Sequence, residues 1–335
     1  MKAIFEKLPQ QARGRLKRAE QPVWVEPMLA TLTQRRFSDE NWIYERKLDG
    51  ERCLAFRQAG ELRLLSRNQK NINHQYPELV GALQKQATQH FILDGEVVAF
   101  KGNVTSFSRL QDRMHIENPD EVLKTGVAVY YYIFDLLYVE GYDVSAVSLR
   151  ERKVLLKAAL KFDDPLRYVI HRNQEGEAYF EDACQKGWEG IVAKDARSPY
   201  EHSRSNKWLK FKCLNQQEFV IGGYTAPQGS RIGFGALLLG YYQDNDLQYA
   251  GKVGTGFNDN TLKRLSDRLA DLVQDASPFS EDDLPTEGVH WVKPKLVAEI
   301  GFEEWTEYGK LRQPRYLGLR QDKDARNVVM EIAEP

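Results

Sequence analysis

The sequence predicts an α+β protein in which a mixed α/β domain precedes a small β-barrel of the OB type. A chain of 335 residues suits two domains better than one. Strand and helix patterns are interleaved up to residue 214, whereas the remainder is Gly-rich and consists of short strands around one helix. Several short strands with a single helix are typical of a small barrel. We therefore expect a basic N-terminal lead-in at residues 1–22, a first domain at 23–214 and a barrel domain at 215–335.

Hydrophobic periodicity predicts the elements of the first domain. Strands are predicted at residues 42–44, 53–56, 61–65, 91–93, 97–100, 127–138 and 190–193. Apolar residues at helical spacing predict helices at 77–86, 149–160 and 179–186. The Asp49-Gly50 pair lies between two strand patterns and predicts a tight turn.

The second domain shows shorter patterns. Strands are predicted at residues 219–221, 236–242, 247–253, 297–302 and 327–332. A helix is predicted at 260–273, and an acidic loop follows it at 275–288.

Charge and cysteine content narrow the class of protein. The net charge of −1 counts mildly against a nucleic-acid-binding protein. However, the first 20 residues carry six basic side chains and only two acidic ones. Such a local basic face can steer DNA and contact its phosphates, so removing residues 1–20 is expected to weaken DNA binding. Cys53, Cys184 and Cys213 form no CxxC pair, which excludes a zinc signature and indicates a reducing cytoplasm. No signal peptide or membrane span is apparent, and we expect a cytoplasmic monomer.

Seven short segments carry the candidate chemistry. The first is Glu45-Arg-Lys47-Leu-Asp49-Gly50-Glu-Arg52, which alone is equally well explained as a strand, a hairpin turn and a surface lysine. The other six, in chain order, are Ser66-Arg67-Asn68, Asp94-Gly95-Glu96, Tyr132-Ile-Phe134-Asp135, Glu189-Gly190-Ile-Val-Ala-Lys194, Trp208-Leu-Lys210-Phe-Lys212 and Leu319-Arg320-Gln-Asp322-Lys323. All seven in this order would be very rare by chance.

The ordered series resembles the nucleotidyltransferase motifs of the ATP-dependent DNA ligases, a family that also includes the mRNA capping enzymes. The resemblance runs from about residue 27 to residue 330. Details at residues 27–31, 250–257, 290–294 and 314–320 are similar to the ligase module of bacterial non-homologous end-joining ligases. The resemblance implies an ATP-grasp-like adenylation (nucleotidyltransferase) domain followed by an OB-fold domain. It also implies ATP and Mg²⁺, or Mn²⁺, as cofactors.

The resemblance implies a covalent lysyl-AMP intermediate and assigns residues to it. Lys47 would attack the α-phosphate of ATP, and neighbouring cations would favour its deprotonated, nucleophilic form. Phe134 would stack on adenine, Glu45 would contact the adenine edge, and Arg52 would contact the ribose. Arg67 would hold phosphate, first on AMP and then at the nick, because a planar guanidinium matches phosphate oxygens.

The remaining assignments concern the metal and the phosphates. Glu96 and Glu189 are the carboxylates placed near Mg²⁺, although Glu96 would alternatively hold the ribose. Lys210 and Lys212 alternate on one strand, so both point to the same side and suit one phosphate. The ordinary alternatives are solvated strand-end glutamates, a core phenylalanine at Phe134 and, for the last segment, a charged loop.

That last segment belongs to the second domain. In the family, Arg320, Asp322 and Lys323 close over the triphosphate, and the small domain then swings away to present another face to DNA. Lys194 ends the fifth segment but receives no assigned role.

The substrate that the resemblance implies is a 5′-phosphate/3′-OH nick in duplex DNA. A Ku-like end-binding protein is a possible partner, the pathway remains open, and a bacterial enzyme of this kind would be associated with the nucleoid. The alternatives are an mRNA capping guanylyltransferase, an RNA ligase or a catalytically inactive DNA-binding scaffold. A comparison of ATP with GTP as the nucleotide substrate distinguishes a capping enzyme from a ligase. The seven intact segments disfavour a catalytically inactive scaffold.

Overall fold

A computed structural model describes residues 3–114, 116–281 and 283–331 of the chain. The chain divides into two compact units, of which the first ends at Cys213 and the second begins at Leu214. Within the described ranges, no helix is both long enough and apolar enough to span a membrane.

The first unit contains two β-sheets and several short helices. Its helices are α1 (Gln10–Arg13), α2 (Pro77–Gln84), α3 (Phe107–Met114), α4 (Pro119–Lys124), α5 (Leu149–Ala159) and α6 (Gly176–Gln185), with 3-10 turns at Ala3–Lys7 and Asn73–Gln75. Its strands are β1 (Lys17–Arg18), β2 (Leu29–Leu32), β3 (Trp42–Arg46), β4 (Glu51–Gln58), β5 (Glu61–Ser66), β6 (Phe91–Lys101), β7 (Val104–Thr105), β8 (Val129–Val139), β9 (Tyr142–Asp143), β10 (Leu166–Tyr168), β11 (His171–Asn173), β12 (Gly190–Asp195) and β13 (Arg204–Lys212). The strands and helices predicted for this domain are confirmed, with differences of up to three residues at the ends, except that the strands predicted at 91–93 and 97–100 are one continuous strand, β6.

The two sheets of this unit face each other. The larger sheet has the order β1-β9-β8-β6-β4-β5, with β10 beside β8 and β7 beside β6, and the smaller has the order β11-β3-β12-β13-β2. Phe134 of the larger sheet and Trp208 of the smaller one belong to a hydrophobic cluster between the sheets. A second cluster packs α2, α3 and α5 on the far side of the larger sheet, and a third packs α6 on the far side of the smaller one.

Helix α5 is fixed by a cap and by a buried ion pair. Ser148 and Glu151 form a capping box at its N-terminus, which satisfies backbone N–H groups that the helix itself leaves open. Arg152 forms two hydrogen bonds with Asp135 of β8, at 2.7 and 2.9 Å, and both side chains are fully buried. The Asp135 of the aromatic strand therefore anchors a helix.

The N-terminal segment is part of the core of the first unit. Phe5, Leu8 and Ala12 are buried in the same cluster as α2, α3 and α5. Lys17 and Arg18 are exposed on β1, which pairs with β9. Deleting residues 1–20 would therefore open the core as well as remove charge, so point substitutions are the cleaner test of DNA contacts.

The cysteines differ from the sequence expectation of isolated, reduced thiols. Cys184 near the end of α6 and Cys213 after β13 form a disulfide with a Cα–Cα distance of 5.3 Å, whereas Cys53 is buried and free. The two partners are 29 residues apart in sequence. Their proximity depends on the packing of α6 against the sheet, which the cysteine spacing does not reveal.

The second unit is a curved antiparallel sheet with one helix packed on it. Its elements are β14 (Asn215–Thr225), β15 (Leu237–Gln243), β16 (Asp246–Val253), α7 (Asp259–Ala270), β17 (Val273–Gln274), β18 (Val289–Phe302), β19 (Arg315–Arg320) and a 3-10 turn at Ala325–Asn327. The strand order is β16-β15-β14-β18-β17, with β19 beside β18. Leu262, Leu265 and Leu269 of α7 enter the hydrophobic core of this unit.

One predicted element of the second unit is wrong. The strand expected at residues 327–332 is a 3-10 turn at Asn327, and Val329 makes only an isolated bridge with Tyr242. Residue 332 lies outside the described part of the chain. Three features were not anticipated: β18 begins eight residues before the predicted 297, β19 is a full strand, and Val273, the predicted end of the helix, begins β17.

Candidate active site

A cavity of about 150 Å³ lies between the two sheets of the first unit. It is lined by Ala30, Glu45, Arg46, Lys47, Leu48, Arg52, Glu96, Phe134, Val169, Val192, Lys194, Trp208 and Lys210. Six residues predicted from the sequence are therefore brought together, namely Glu45, Lys47, Arg52, Glu96, Phe134 and Lys210. They come from both sheets, so the cavity depends on the tertiary fold.

Lys47 and Glu189 form an ion pair at the wall of this cavity. The local cause is strand pairing: Ile191 of β12 lies opposite Arg46 of β3, and the Lys47 N–H donates to the carbonyl of Gly190 at 2.9 Å. The residue after one strand therefore lies beside the residue before the other. The Lys47 side chain is 21% exposed, so its amine can be reached by a bound molecule.

The tight turn predicted at Asp49-Gly50 is wrong, because β3 and β4 belong to different sheets and this pair lies in the link between them. An Asp49 carboxylate oxygen accepts the backbone N–H of Phe107 at the start of α3, at 3.0 Å. At Gly50, a Cβ atom would lie 2.2 Å from the carbonyl oxygen of Val97, so no larger residue fits without displacement. The last two residues of the Lys-Leu-Asp-Gly sequence thus each have a structural reason. Asp49 accepts a hydrogen bond from α3, and Gly50 leaves room for the backbone of Val97.

Glu45 is buried between two lysines. Lys153 forms an ion pair with one carboxylate oxygen, and the Lys194 ammonium lies 2.6 Å from the other. Burial acts to raise the pKa of Glu45, but the two ammonium groups outweigh it and hold the pKa below its usual value. Burial lowers the pKa of Lys194 despite the nearby carboxylate. Glu45 is therefore an ionised acceptor at the cavity wall.

Arg52 is held in one orientation by Asp94. The guanidinium forms two hydrogen bonds of 2.6 Å with the two oxygens of this fully buried carboxylate, and it donates to the Met28 carbonyl at 3.1 Å. The Tyr200 hydroxyl donates to Asp94 at 2.6 Å, which completes the network. The guanidinium carbon lies 4.7 Å from the centroid of the Phe134 ring.

Aromatic rings form the apolar part of the cavity. Phe134 and Trp208 meet edge to face, with centroids 5.9 Å apart. The Lys194 nitrogen lies 4.0 Å from the Phe134 centroid and 3.9 Å from the Trp208 centroid. Together with the small side chains of Ala30 and Val192, these rings suit a flat, electron-rich group such as a nucleobase.

Three predicted residues of the first unit do not line the cavity: Glu189, which reaches it only through its ion pair with Lys47, Arg67 and Lys212. Arg67 directly follows β5, outside the set of lining residues. Lys212 ends β13 opposite Gly190, so its backbone lies beside the segment that carries Glu189. Lys210, two residues earlier on the same strand, does line the cavity.

The predicted cations of the second unit pair with carboxylates of that unit. Arg320 donates to Asp322 at 2.9 and 2.6 Å, and its guanidinium lies 3.8 Å from Glu299. Burial acts to lower the pKa of Arg320, but these carboxylates raise it well above its usual value. Lys323 lies 3.1 Å from Glu218.

Sequence reasoning did not find Lys153 or the Arg52–Asp94 pairing. A signal for Lys153 was present, because α5 buries residues 149, 152, 153 and 156, which are spaced as one helical face. A charged residue on such a face indicates a buried partner. The spacing does not say which partner, since Glu45 lies 108 residues away.

Comparisons with known proteins identify the family. The ATP dependent DNA ligase domain matches residues 27–212, and the ATP dependent DNA ligase C terminal region matches residues 230–323. The chain is 39% identical over 318 residues to the multifunctional non-homologous end joining protein LigD of Pseudomonas aeruginosa, covering 92% of this chain and 37% of that one. It is 37% identical over 316 residues to the LigD repair protein of Mycobacterium tuberculosis, covering 91% of this chain and 40% of that one.

A solved structure agrees with these sequence matches. The structure of mycobacterial DNA ligase D complexed with ATP and MES is 35% identical, covers 92% of this chain and 98% of its own, and has a TM-score of 0.66. A reachable amine paired with a carboxylate, beside a slot that suits a base, is the arrangement that a nucleotidyltransferase needs, and the family matches identify the class. The chain belongs to the ATP-dependent DNA ligase family.

Membership of this family confirms several predictions. The fold is an adenylation (nucleotidyltransferase) domain followed by a C-terminal OB-fold domain. The enzyme class is an ATP-dependent DNA ligase. The chain spans only 37–40% of the length of the LigD relatives, whose names describe multifunctional proteins.

Proposed function

We propose that this protein seals 5′-phosphate/3′-OH nicks in duplex DNA by way of a covalent AMP on the Nζ of Lys47. The observation that carries the proposal is the Lys47 amine at the wall of a cavity that also presents an aromatic slot and an ionised carboxylate. Family membership supplies ATP and DNA as the reactants.

The chemistry follows from the position of the amine. The nitrogen must lose a proton before it attacks, and Glu189 is the carboxylate in contact with it. Attack on the α-phosphorus forms a P–N bond, and the bond to the β-phosphate oxygen breaks to release pyrophosphate. The AMP then passes to the 5′-phosphate of the nick. The 3′-hydroxyl displaces AMP and forms the phosphodiester.

The base and sugar would be held by residues on opposite sheets. Phe134 would stack on adenine, and the Glu45 carboxylate would accept a hydrogen bond from the exocyclic amine of adenine. Arg52, fixed by Asp94, would donate to the ribose. Arg67 would bind phosphate, first of AMP and then of the nick.

The metal would be held by carboxylate and phosphate oxygens together. No group of three or more His, Cys, Asp or Glu side chains in the described ranges could hold a metal ion. This fits Mg²⁺, which commonly takes one or two carboxylates with the rest from water and phosphate, and here Glu96 and Glu189 would supply them. Mg²⁺ or Mn²⁺ would neutralise charge on the leaving pyrophosphate.

The lysines would neutralise phosphate charge as well. Lys210 lines the cavity, and Lys212 lies two residues further along the same strand. In the second unit, Arg320 and Lys323 would contact the β- and γ-phosphates before DNA binds. They would move away once pyrophosphate has been released.

The pathway is proposed from the relatives. The LigD proteins are named for non-homologous end joining, so we propose that this chain acts on broken or nicked chromosomal DNA. A Ku-like end-binding protein would then be its partner, and the substrate would place it at the nucleoid. We propose that it acts as a monomer.

The test is the intact mass of the purified protein after incubation with Mg²⁺ and either ATP or GTP, with Lys47→Ala as the control. An AMP adduct that forms only with ATP, is absent in the variant and is discharged by a nicked duplex is the expected result. A GMP adduct would indicate a capping enzyme, and discharge by nicked RNA alone would indicate an RNA ligase.

Protein that is already adenylylated when purified must be recognised first, since it would accept no further AMP. Pyrophosphate or a nick removes the existing AMP and lowers the mass. If neither nucleotide gives an adduct on AMP-free protein, the catalytic proposal fails and the DNA-binding scaffold takes its place.

A further inference from the structure

Lys153 lies outside all seven motif segments and yet contacts two residues of the base site. The side chain is buried on α5, with only 2% of the residue exposed. Its ammonium forms the ion pair with Glu45 and lies 3.3 Å from the carbonyl oxygens of Phe134 and Val169. An ammonium group has three donors, and these three acceptors use all of them.

Packing alone does not account for a lysine at this position. Leu149 and Leu156 occupy the same buried face of α5, where an aliphatic side chain fills space without a charge. Burying an ammonium costs free energy unless it is paired and hydrogen-bonded. A buried lysine at this position therefore indicates that its contacts with Glu45 and the two carbonyl oxygens have a role of their own.

The partners lie on different sheets. Glu45 belongs to β3 of the smaller sheet, and Phe134 belongs to β8 of the larger one. Lys153 thus ties the carboxylate on one side of the cavity to the backbone of the stacking ring on the other. Lys194 contacts the second oxygen of Glu45, which leaves the carboxylate little freedom to rotate.

We propose that Lys153 is a positioning residue for base selection, which fixes Glu45 so that it accepts a hydrogen bond from the exocyclic amine of adenine. This inference rests on the proposed function. Guanine carries a carbonyl oxygen at the corresponding ring position, and this oxygen would face the lone pairs of a carboxylate that cannot turn away. Lys153 therefore enforces the choice of ATP over GTP without contacting the nucleotide.

The test compares two triphosphates in self-adenylylation, namely ATP and purine riboside 5′-triphosphate, which lacks the exocyclic amine. A hydrogen bond to a charged group predicts that the wild-type protein prefers ATP by about 10- to 100-fold in kcat/KM. In Lys153→Met this preference should fall below about 3-fold, because KM for ATP rises while the use of the purine analogue stays nearly constant.

The matched control is Lys157→Met. Lys157 is exposed one turn further along α5, and its nitrogen lies 4.4 Å from the Tyr168 ring, which Lys153 also approaches at 4.7 Å. This variant removes a lysine from the same helix and the same ring but not from Glu45. It should keep the wild-type preference for ATP.

A purely structural role would lower the use of both triphosphates by the same factor, and that result, or an unchanged preference, would overturn the proposal. If Lys153→Met does not fold, Lys153→Arg provides the comparison, because it keeps the charge and should keep a preference above about 3-fold. Equal loss for both triphosphates in Lys153→Arg would also overturn it.

The Glu45→Gln background gives an independent check. If Lys153 acts through the Glu45 charge, adding Lys153→Met to Glu45→Gln should change the ATP preference by less than about 2-fold. Failure of the proposed function is recognised separately, since wild-type protein would then form no AMP adduct at all.

Discussion

Replacing Gly190 by alanine should damage the active site through the backbone. Gly190 begins β12 with a φ of +146°, a conformation that residues with a Cβ rarely adopt. The added Cβ would lie 2.0 Å from the carbonyl oxygen of Phe211 and 3.1 Å from the Cα of Lys212. Because Phe211 is paired in β13, this oxygen cannot move without opening the β12–β13 ladder.

The expected loss of stability combines two effects. Placing a non-glycine residue in such a backbone conformation costs about 1–3 kcal/mol. Overlap with a backbone atom adds to this, so we expect about 3–5 kcal/mol in total, in the range of the severest single substitutions. For a unit of this size, each kcal/mol lowers Tm by about 2–4 °C, which predicts a fall of about 6–20 °C.

Gly187→Ala is the matched control. Gly187 also has a positive φ, +69°, but the nearest atom to an added Cβ is the Cγ2 of Val104 at 4.0 Å. The variant should therefore cost only about 1 kcal/mol for the backbone conformation. Both variants are compared by differential scanning calorimetry. A Gly190→Ala protein that melts together with Gly187→Ala would refute the steric argument.

The same substitution should slow adenylylation beyond its effect on stability. The Lys47 N–H is bound to the Gly190 carbonyl, and the adjoining residue is Glu189, so displacement of β12 changes the position of both reactive groups. The rate of AMP attachment is measured well below the Tm of the variant. Adenylylation at the wild-type rate would show that the ion pair does not depend on this backbone position.

Three further predictions concern burial and charge. Arg152→Met leaves Asp135 buried without its partner and should cost about 3–5 kcal/mol in urea unfolding, a loss that an additional Asp135→Leu should largely restore. Burial, aided by the charge of Lys153, lowers the pKa of His171 to about 4. Below pH 6.5 the folded state therefore binds fewer protons than the unfolded state, and the protein loses stability as the pH falls from there towards 4. His171→Asn should flatten this dependence by about 1 kcal/mol between pH 7 and 4.5, since the ring is partly exposed. Replacing the exposed Lys17 and Arg18 by alanine should weaken nick binding and lower the salt slope by about 1–2 in fluorescence anisotropy.

The sequence was a good guide to local structure and to the residues of the cavity. Aromatic and β-branched content predicted β8 correctly as a mostly buried strand, whereas β6 was predicted as two strands and the start of β18 was missed by eight residues. Helix α3 was not predicted, although Phe107, Leu110 and Met114 have helical spacing and are all buried. Its existence explains Asp49, whose role as the acceptor for the Phe107 N–H could not be inferred from a turn signal alone.

Long-range partners were beyond the reach of sequence patterns. Asp94 was recognised only as the start of a motif. Its two hydrogen bonds with the Arg52 guanidinium require the pairing of β4 with β6. The alternation of Lys210 and Lys212 predicts a shared side, but of the two only Lys210 lines the cavity, which has a limited extent along the strand. The sequence pattern of a strand or helix predicts which side chains share a face. The position of a cavity along that face depends on the opposite sheet.

The electrostatics of the assigned residues suggest how phosphate is exchanged during the reaction. Lys47 pairs with Glu189, Arg320 with Asp322, and Lys323 with Glu218. On the proposed roles, Arg320 and Lys323 would each release a carboxylate on meeting phosphate, so that binding would replace one ion pair by another. Lys47 differs, because it would become bonded to AMP. The carboxylates would thus keep these two cations paired between cycles, and they would favour the departure of pyrophosphate, because each cation would regain a partner when phosphate leaves.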